Sequence, residues 1–189
     1  GDVYKRQASN QSIHQFPVEI TLIQGLPKQD KLTDIVDAVT QCGVDRISPI
    51  VMGRTIVKWE SAKATRMLDR WRNRALQAAM QSKLMKVPSV DPVRSFSAWI
   101  QDVNVDYYDM CIVCWEGAVD QTLVDIVTNK GGYKRLCLVV GPEGGISEQE
   151  VQQLKSKGFK IISLGFNIFR VEIAVIVALS QIMITYNKK

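Results

Sequence analysis

Apolar positions along the chain change period several times, and each change marks an element. VEITLIQGL (18–26) alternates apolar and polar residues, the period of a strand. From Lys31 onward, Leu32, Ile35, Val36 and Val39 recur at helical spacing, and Gly43 closes that helix. DRISPIV (45–51) and TIVKW (55–59) read as two short strands. Ser61 is placed to cap a long helix running to about Ser82. Met67, Leu68, Trp71, Ala75, Ala78 and Ala79 form its apolar face, with arginines opposite. VPSV (87–90) is predicted extended, SFSAWIQDV (95–103) a brief helix, DMCIVCW (109–115) a strand, DQTLVDIVTN (120–129) a helix and KRLCLVV (134–140) a strand. Ser147 followed three residues later by Glu150 is a capping box, which predicts a helix to Lys157 ended by Gly158. FKIISLG (159–165) is a further strand, FNIF (166–169) a loop, and the last helix starts near Arg170. Apolar strands alternating with helices predict an α/β domain on a parallel sheet. Residues 1–16 carry no periodicity and read as a tail, leaving 17–189 as one domain.

Composition narrows the class. Of 189 residues, 46% are apolar and 23% charged, the profile of a soluble globular protein with a sizeable core. The net charge of +5 is unevenly placed. Between Arg54 and Arg94 stand ten basic and three acidic residues, an excess of +7, so the rest of the chain carries −2. Trp59, Trp71 and Trp99 lie in or near that segment, a footprint suited to nucleic acid and also met on a solvated helix face. CIVC (111–114) has metal or redox spacing, but residues three apart on a strand point to opposite faces. With Cys42 and Cys137 these are expected to be buried free thiols in a reducing compartment, with no metal. Gly1–Gln15 is polar and reads as no secretory signal, and IAVIVALSQIMI (173–184) is too short to span a bilayer and reads as a buried helix. The expected location is cytoplasmic, away from membranes.

The candidate chemistry lies in LVVGPEGGISEQE (138–150). Three glycines, a proline and a carboxylate between a buried strand and a capped helix suit a ligand brought close to backbone at the C-terminal end of a strand. No Lys-Ser/Thr follows the glycines, and the spacing is not G-x-G-x-x-G. Glu143 would repel a phosphate. A ligand with hydroxyls, an amine or a positive charge fits better, S-adenosylmethionine (SAM) among them.

GPEGGIS (141–147), followed by SLGFNIFRVEIAVIVAL (163–179), resembles the paired C-terminal motifs of the RsmE family, enzymes that methylate N3 of a uridine in small-subunit (16S) ribosomal RNA. ITLIQGLPKQDKLTDIVDAVTQCGVDRISPI (20–50), DRWRNRALQAAMQS (69–82) and KVPSV (86–90) follow the family's order upstream, so the resemblance covers most of the chain. It implies a SPOUT-type methyltransferase: a parallel sheet flanked by helices with a C-terminal trefoil knot, acting as a homodimer. It also implies a PUA-like N-terminal domain, of which residues 1–16 would be a stub.

By the same resemblance, Gly141, Pro142, Glu143, Gly144 and Gly145, with Val139 ahead of them, form the first SAM loop. Leu164, Gly165, Ile168, Phe169 and Arg170 form the second. Arg170 and Glu172 are the catalytic candidates: Arg170 to stabilise negative charge on the uracil carbonyls, Glu172 to orient or pair with it. Arg54, Lys58, Arg70, Arg74, Gln81, Lys83 and Lys86 are candidates for contact with ribosomal RNA or the small ribosomal subunit. The chain departs from the family pattern at Asn167 (usually Arg), Ile173 (usually Thr), Gln41 and Leu84. A divergent homologue that binds SAM or RNA with little turnover is the alternative.

Overall fold

The computed structural model describes residues 17–56, 59, 61–118, 121–128, 133–165 and 167–186. The tail expected at 1–16 and Lys58 lie outside the described residues. Seven strands form one sheet: β1 (Glu19–Gly25), β2 (Arg46–Val51), β3 (Ser89–Val90), β4 (Arg94–Ser95), β5 (Met110–Cys114), β6 (Arg135–Val140) and β7 (Lys160–Ile162). The order is β3-β2-β1-β6-β5-β7, with β4 also on β2, and every named pair is parallel. The helices are α1 (Lys31–Gln41), α2 (Ser61–Gln81), α3 (Phe96–Asp102), α4 (Leu123–Thr128), α5 (Glu148–Ser156) and α6 (Val171–Tyr186).

A parallel sheet covered on both faces needs apolar residues at every strand position, and the period-2 geometry then divides them between two cores. Along β6, Leu136, Leu138 and Val140 join α1, α2, α4 and α6 in one core. Cys137 and Val139 join α3 and α5 in the other. CIVC divides likewise, Cys114 to the first core and Cys111 to the second, and all four cysteines are free thiols. Covering on both faces also explains why Thr21 and Gln24, polar positions of β1, are buried.

Several expectations are corrected. TIVKW is not a strand at Thr55 and Ile56: the Thr55 N–H donates to Met52 O at 2.9 Å, and the Met52 N–H donates to Thr55 Oγ1 at 2.9 Å. That turn reverses the chain after β2. The last helix is buried on one side only, because Ile173 is 48% and Ile184 58% exposed. β7 ends at Ile162, short of the Gly165 expected from FKIISLG, and Arg94–Ser95 adds a strand the periodicity did not mark. The capping box at α5 is formed: the Glu150 N–H donates to Ser147 Oγ and the Glu150 carboxylate accepts from the Ser147 N–H.

The N-terminal ends of β5 and β6 are tied by Asp109, whose carboxylate accepts the backbone N–H groups of Lys134 and Arg135, both at 2.8 Å. Those two donors hold its pKa below the ordinary carboxylate value. A group depressed on folding stabilises fully above its unfolded pKa, and the contribution fades as pH falls through the folded one. An Asp109→Asn variant should therefore melt below wild type near pH 7, and the gap in Tm should close as pH falls below the ordinary aspartate range. A gap that stays constant across a calorimetric pH series contradicts the assignment.

Candidate active site

β5, β6 and β7 are neighbours, and their C-terminal ends open together into a cleft of about 510 Å³, within the roughly 300–1,000 Å³ typical of small-molecule sites. Each strand delivers a loop. Cys114, Trp115 and Glu116 come from β5, Val140 to Glu143 with Gly145 and Ile146 from β6, and Ser163 to Gly165 with Asn167 to Val171 from β7. Ala174 of α6 and Lys31 of α1 complete the wall. The two loops singled out in the sequence thus meet in one place.

The glycines serve different ends. Gly145 has φ +73° and Gly165 φ +127°, conformations that side chains with a Cβ rarely adopt. Gly144 faces away from the cleft, and a Cβ there would meet the Arg54 carbonyl oxygen at 2.7 Å. Its smallness seats the turn after β2, which is also held by Gly53 N–H to Glu150 Oε1 at 2.7 Å and Arg54 Nη1 to Gly144 O at 3.3 Å. Val139 likewise does not line the cleft: it points into the second core, and its neighbour Val140 takes the lining position.

Glu143 has local partners. Its carboxylate oxygens accept the Lys28 backbone N–H at 3.0 and 3.1 Å, and one lies 3.4 Å from Lys31 Nζ. Glu172 stands behind Lys31, at 3.3 Å, and does not line the cleft. The expected Arg170–Glu172 ion pair is not formed. Lys31 takes the carboxylate, and the exposed Arg170 makes no ion pair among the described residues. The Glu172 pKa is held down first by its own backbone N–H, then by Lys31 and by the charge of Arg170. Burial pushes the Cys114 thiol up to about 12, so it remains a neutral wall of the cleft and no nucleophile.

Three features escaped the sequence reading. Lys31 was placed only as the first residue of a helix. Glu116 was not singled out, although it lies only two residues past the end of β5 at Cys114. Trp115 fixes that segment, donating its indole N–H to Ile146 O at 3.2 Å.

The expected RNA-facing residues are dispersed. Arg54 borders the first loop. Arg70 pairs with Asp30, Arg74 with Asp37 at 3.0 Å, and Lys86 with Asp45 at 3.0 Å. Gln81 and Lys83 lie with Lys86 at the far end of α2, and the 21-residue helix is ~30 Å long. Among the described residues no cluster of His, Cys, Asp or Glu could hold a metal ion, and no helix is long and apolar enough to cross a membrane.

A parallel sheet in this order, with its cleft at the carboxyl ends of β5, β6 and β7, is the SPOUT-type methyltransferase fold. A solved Aquifex aeolicus TrmH/SpoU tRNA modifying enzyme superposes with a TM-score of 0.57 at 14% identity, covering 90% of this chain and 76% of that one. The model of a family described as an RNA methyltransferase domain matches residues 14–183, and the chain belongs to that family, on its RsmE branch. The ribosomal RNA small subunit methyltransferase E of Bacillus subtilis is 34% identical over 172 residues, 89% of this chain and 66% of that protein. The Neisseria gonorrhoeae enzyme of the same name, solved bound to S-adenosyl methionine, superposes with a TM-score of 0.78 at 29% identity, covering 90% of this chain and 68% of that one. The chain thus spans just under two thirds of the Bacillus relative's length.

Proposed function

We propose that this chain is a SAM-dependent methyltransferase acting on N3 of a uridine in small-subunit (16S) ribosomal RNA. The observation that carries the reading is the meeting of the Gly141–Gly145 and Leu164–Arg170 loops in one cleft. The residues there fit SAM. Val140, Ile146, Leu164, Phe169 and Ala174 offer an apolar bed for an adenine. The backbone at Gly141, Gly145 and Gly165 offers hydrogen-bonding groups, and the Glu116 and Glu143 carboxylates favour a cationic ligand over a phosphate. SAM bound there would supply an electrophilic methyl on a sulfonium. The family relationship supports the same choice.

N3 of uridine carries a proton that must pass to solvent for the N–CH3 bond to form, and its loss places negative charge on the flanking carbonyl oxygens until the methyl is bonded. Arg170 lines the cleft and is not committed to a carboxylate, so its guanidinium is free to face those oxygens. Loops that hold the methyl and the base together would supply a large part of the acceleration of such a transfer.

The same reading includes the trefoil threading of the family. β7 pairs with the outer side of β5, yet α6 returns to pack with α1 and α4. It includes a homodimer as well: α6 is largely apolar, and Ile168 (85% exposed), Ile173 and Ile184 would be covered by a second copy. Arg54, Arg70, Arg74, Gln81, Lys83 and Lys86 belong to the proposed RNA surface, with Arg54 nearest the cleft.

The deciding experiment combines SAM titration calorimetry with methyl transfer to 16S RNA, followed by nucleoside mass spectrometry. Saturable binding and N3-methyluridine in the product are expected. A folded protein that does not bind SAM sinks the reading. Binding without transfer selects the second reading, a cofactor-binding homologue with little turnover, which is favoured by Asn167 in the cleft wall where the family motif has arginine.

A further inference from the structure

Lys31 joins three segments that are distant in sequence. It opens α1, and its ammonium lies 3.4 Å from Glu143 of the first motif and 3.3 Å from Glu172 at the start of α6. It also lines the cleft, with its side chain one third exposed. Glu143 in turn accepts the Lys28 N–H, so the β1–α1 turn, the first loop and the foot of α6 are linked through one cation. Arg170, two residues before Glu172, forms no ion pair among the described residues.

We propose that Lys31 is a positioning residue for methyl transfer: by occupying Glu143 and Glu172 it leaves the Arg170 guanidinium unpaired at the cleft, available to the substrate base. The assignment rests on the methyltransferase reading above. Without the ammonium, two carboxylates would face each other with no cation between them. Arg170 already acts on Glu172 by its charge. It is the nearest remaining cation in the cleft wall, and a guanidinium–carboxylate fork is a strong, geometrically fixed pair. An Arg170 captured by Glu172 could no longer point at the uracil oxygens. Lys31 therefore acts through Arg170 and contacts no reacting atom itself. The charges that act on Glu172 are Lys31 from α1 and Arg170 from its own chain segment, with Glu143 from the loop after β6 beyond Lys31; of the elements packed on α6, α1 also carries Asp34 and Asp37, and α4 carries Asp125.

The test uses the whole chain in four forms: wild type, Lys31→Met, Lys31→Arg, and Lys31→Met combined with Glu172→Gln. Lys31→Met is expected to lower kcat by roughly 10–100-fold, the size of effect a misplaced catalytic group produces, while SAM affinity by calorimetry moves far less. Lys31→Arg should keep most of kcat. Adding Glu172→Gln to Lys31→Met should recover most of the lost rate, because no carboxylate then captures Arg170. A purely structural strut would show no such rescue. Independently of activity, the Glu172 carboxyl titration followed by carbon NMR should stay depressed in Lys31→Met, because the Arg170 guanidinium takes the place of the ammonium. Equal kcat in Lys31→Met, a loss that Glu172→Gln does not restore, or a Glu172 titration that rises in Lys31→Met each overturn the assignment. A wild type that transfers no methyl overturns the functional reading instead, so the two failures are told apart.

Discussion

A Gly25→Val variant should lose cofactor binding by at least about tenfold and stability by about 1–3 kcal/mol, the usual cost of overpacking a tight contact. Gly25 ends β1, and a Cβ built on it would sit 2.4 Å from both Pro142 Cδ and Pro142 N and 2.7 Å from Gly141 C. The obstacle is backbone and a proline ring, neither of which can rotate away. The first loop must move, and Gly141 and Pro142 line the cleft. Gln24 strengthens this coupling, because its amide donates to Gly25 O at 3.0 Å and to Gly141 O at 3.4 Å. Gly158→Ala is the control. Its φ of +93° strains any side chain, yet nothing lies within 4 Å and it sits at the end of α5, away from the cleft. It should cost about 1 kcal/mol without changing SAM affinity. Thermal unfolding and SAM calorimetry on both variants decide. If Gly25→Val binds SAM as wild type does, the first loop does not need its contact with β1.

The second large effect falls on Arg170. Arg170→Ala should lower the single-turnover rate of methyl transfer by roughly 10²–10³-fold, as when one donor to a developing oxyanion is removed. Arg170→Lys keeps the charge but not the planar fork, and should fall between Ala and wild type. Because the role is confined to the reacting base, SAM binding should change far less than the rate. A rate within a factor of two of wild type in Arg170→Ala would remove Arg170 from the mechanism and leave the cleft a cofactor site alone.

Sequence and structure divide along physical lines in the site itself. Glu143 was legible as a carboxylate in a glycine-rich turn, and its phosphate-repelling character follows from the residue alone. Its partners were not legible, because Lys28 lies 115 positions away and meets it only through the strand order. Arg170 and Glu172 are two residues apart and suggested a pair. The fold instead brings Lys31 across 141 positions to take Glu172. Arg70 and Arg74 looked like free cations on a helix face until α1 supplied Asp30 and Asp37. Gly144 looked like a ligand-approach glycine, and its constraint proved to be the turn after β2.

By itself the sequence determined what short-range chemistry controls. The periodicity placed the strands and helices, the Ser147–Glu150 box and Gly158 set the ends of α5, and alternation along β5 and β6 sent Cys111 and Cys114 to opposite faces. The two motifs marked the loops that are proposed to hold the cofactor. Tertiary structure alone decided which residues share a cation, which glycines meet a neighbour and which line the cleft, and that a largely apolar last helix is covered on only one side. Those outcomes depend on through-space approach between segments far apart in the chain. Local propensity has no term for the order in which parallel strands are laid down, and that order sets the approach.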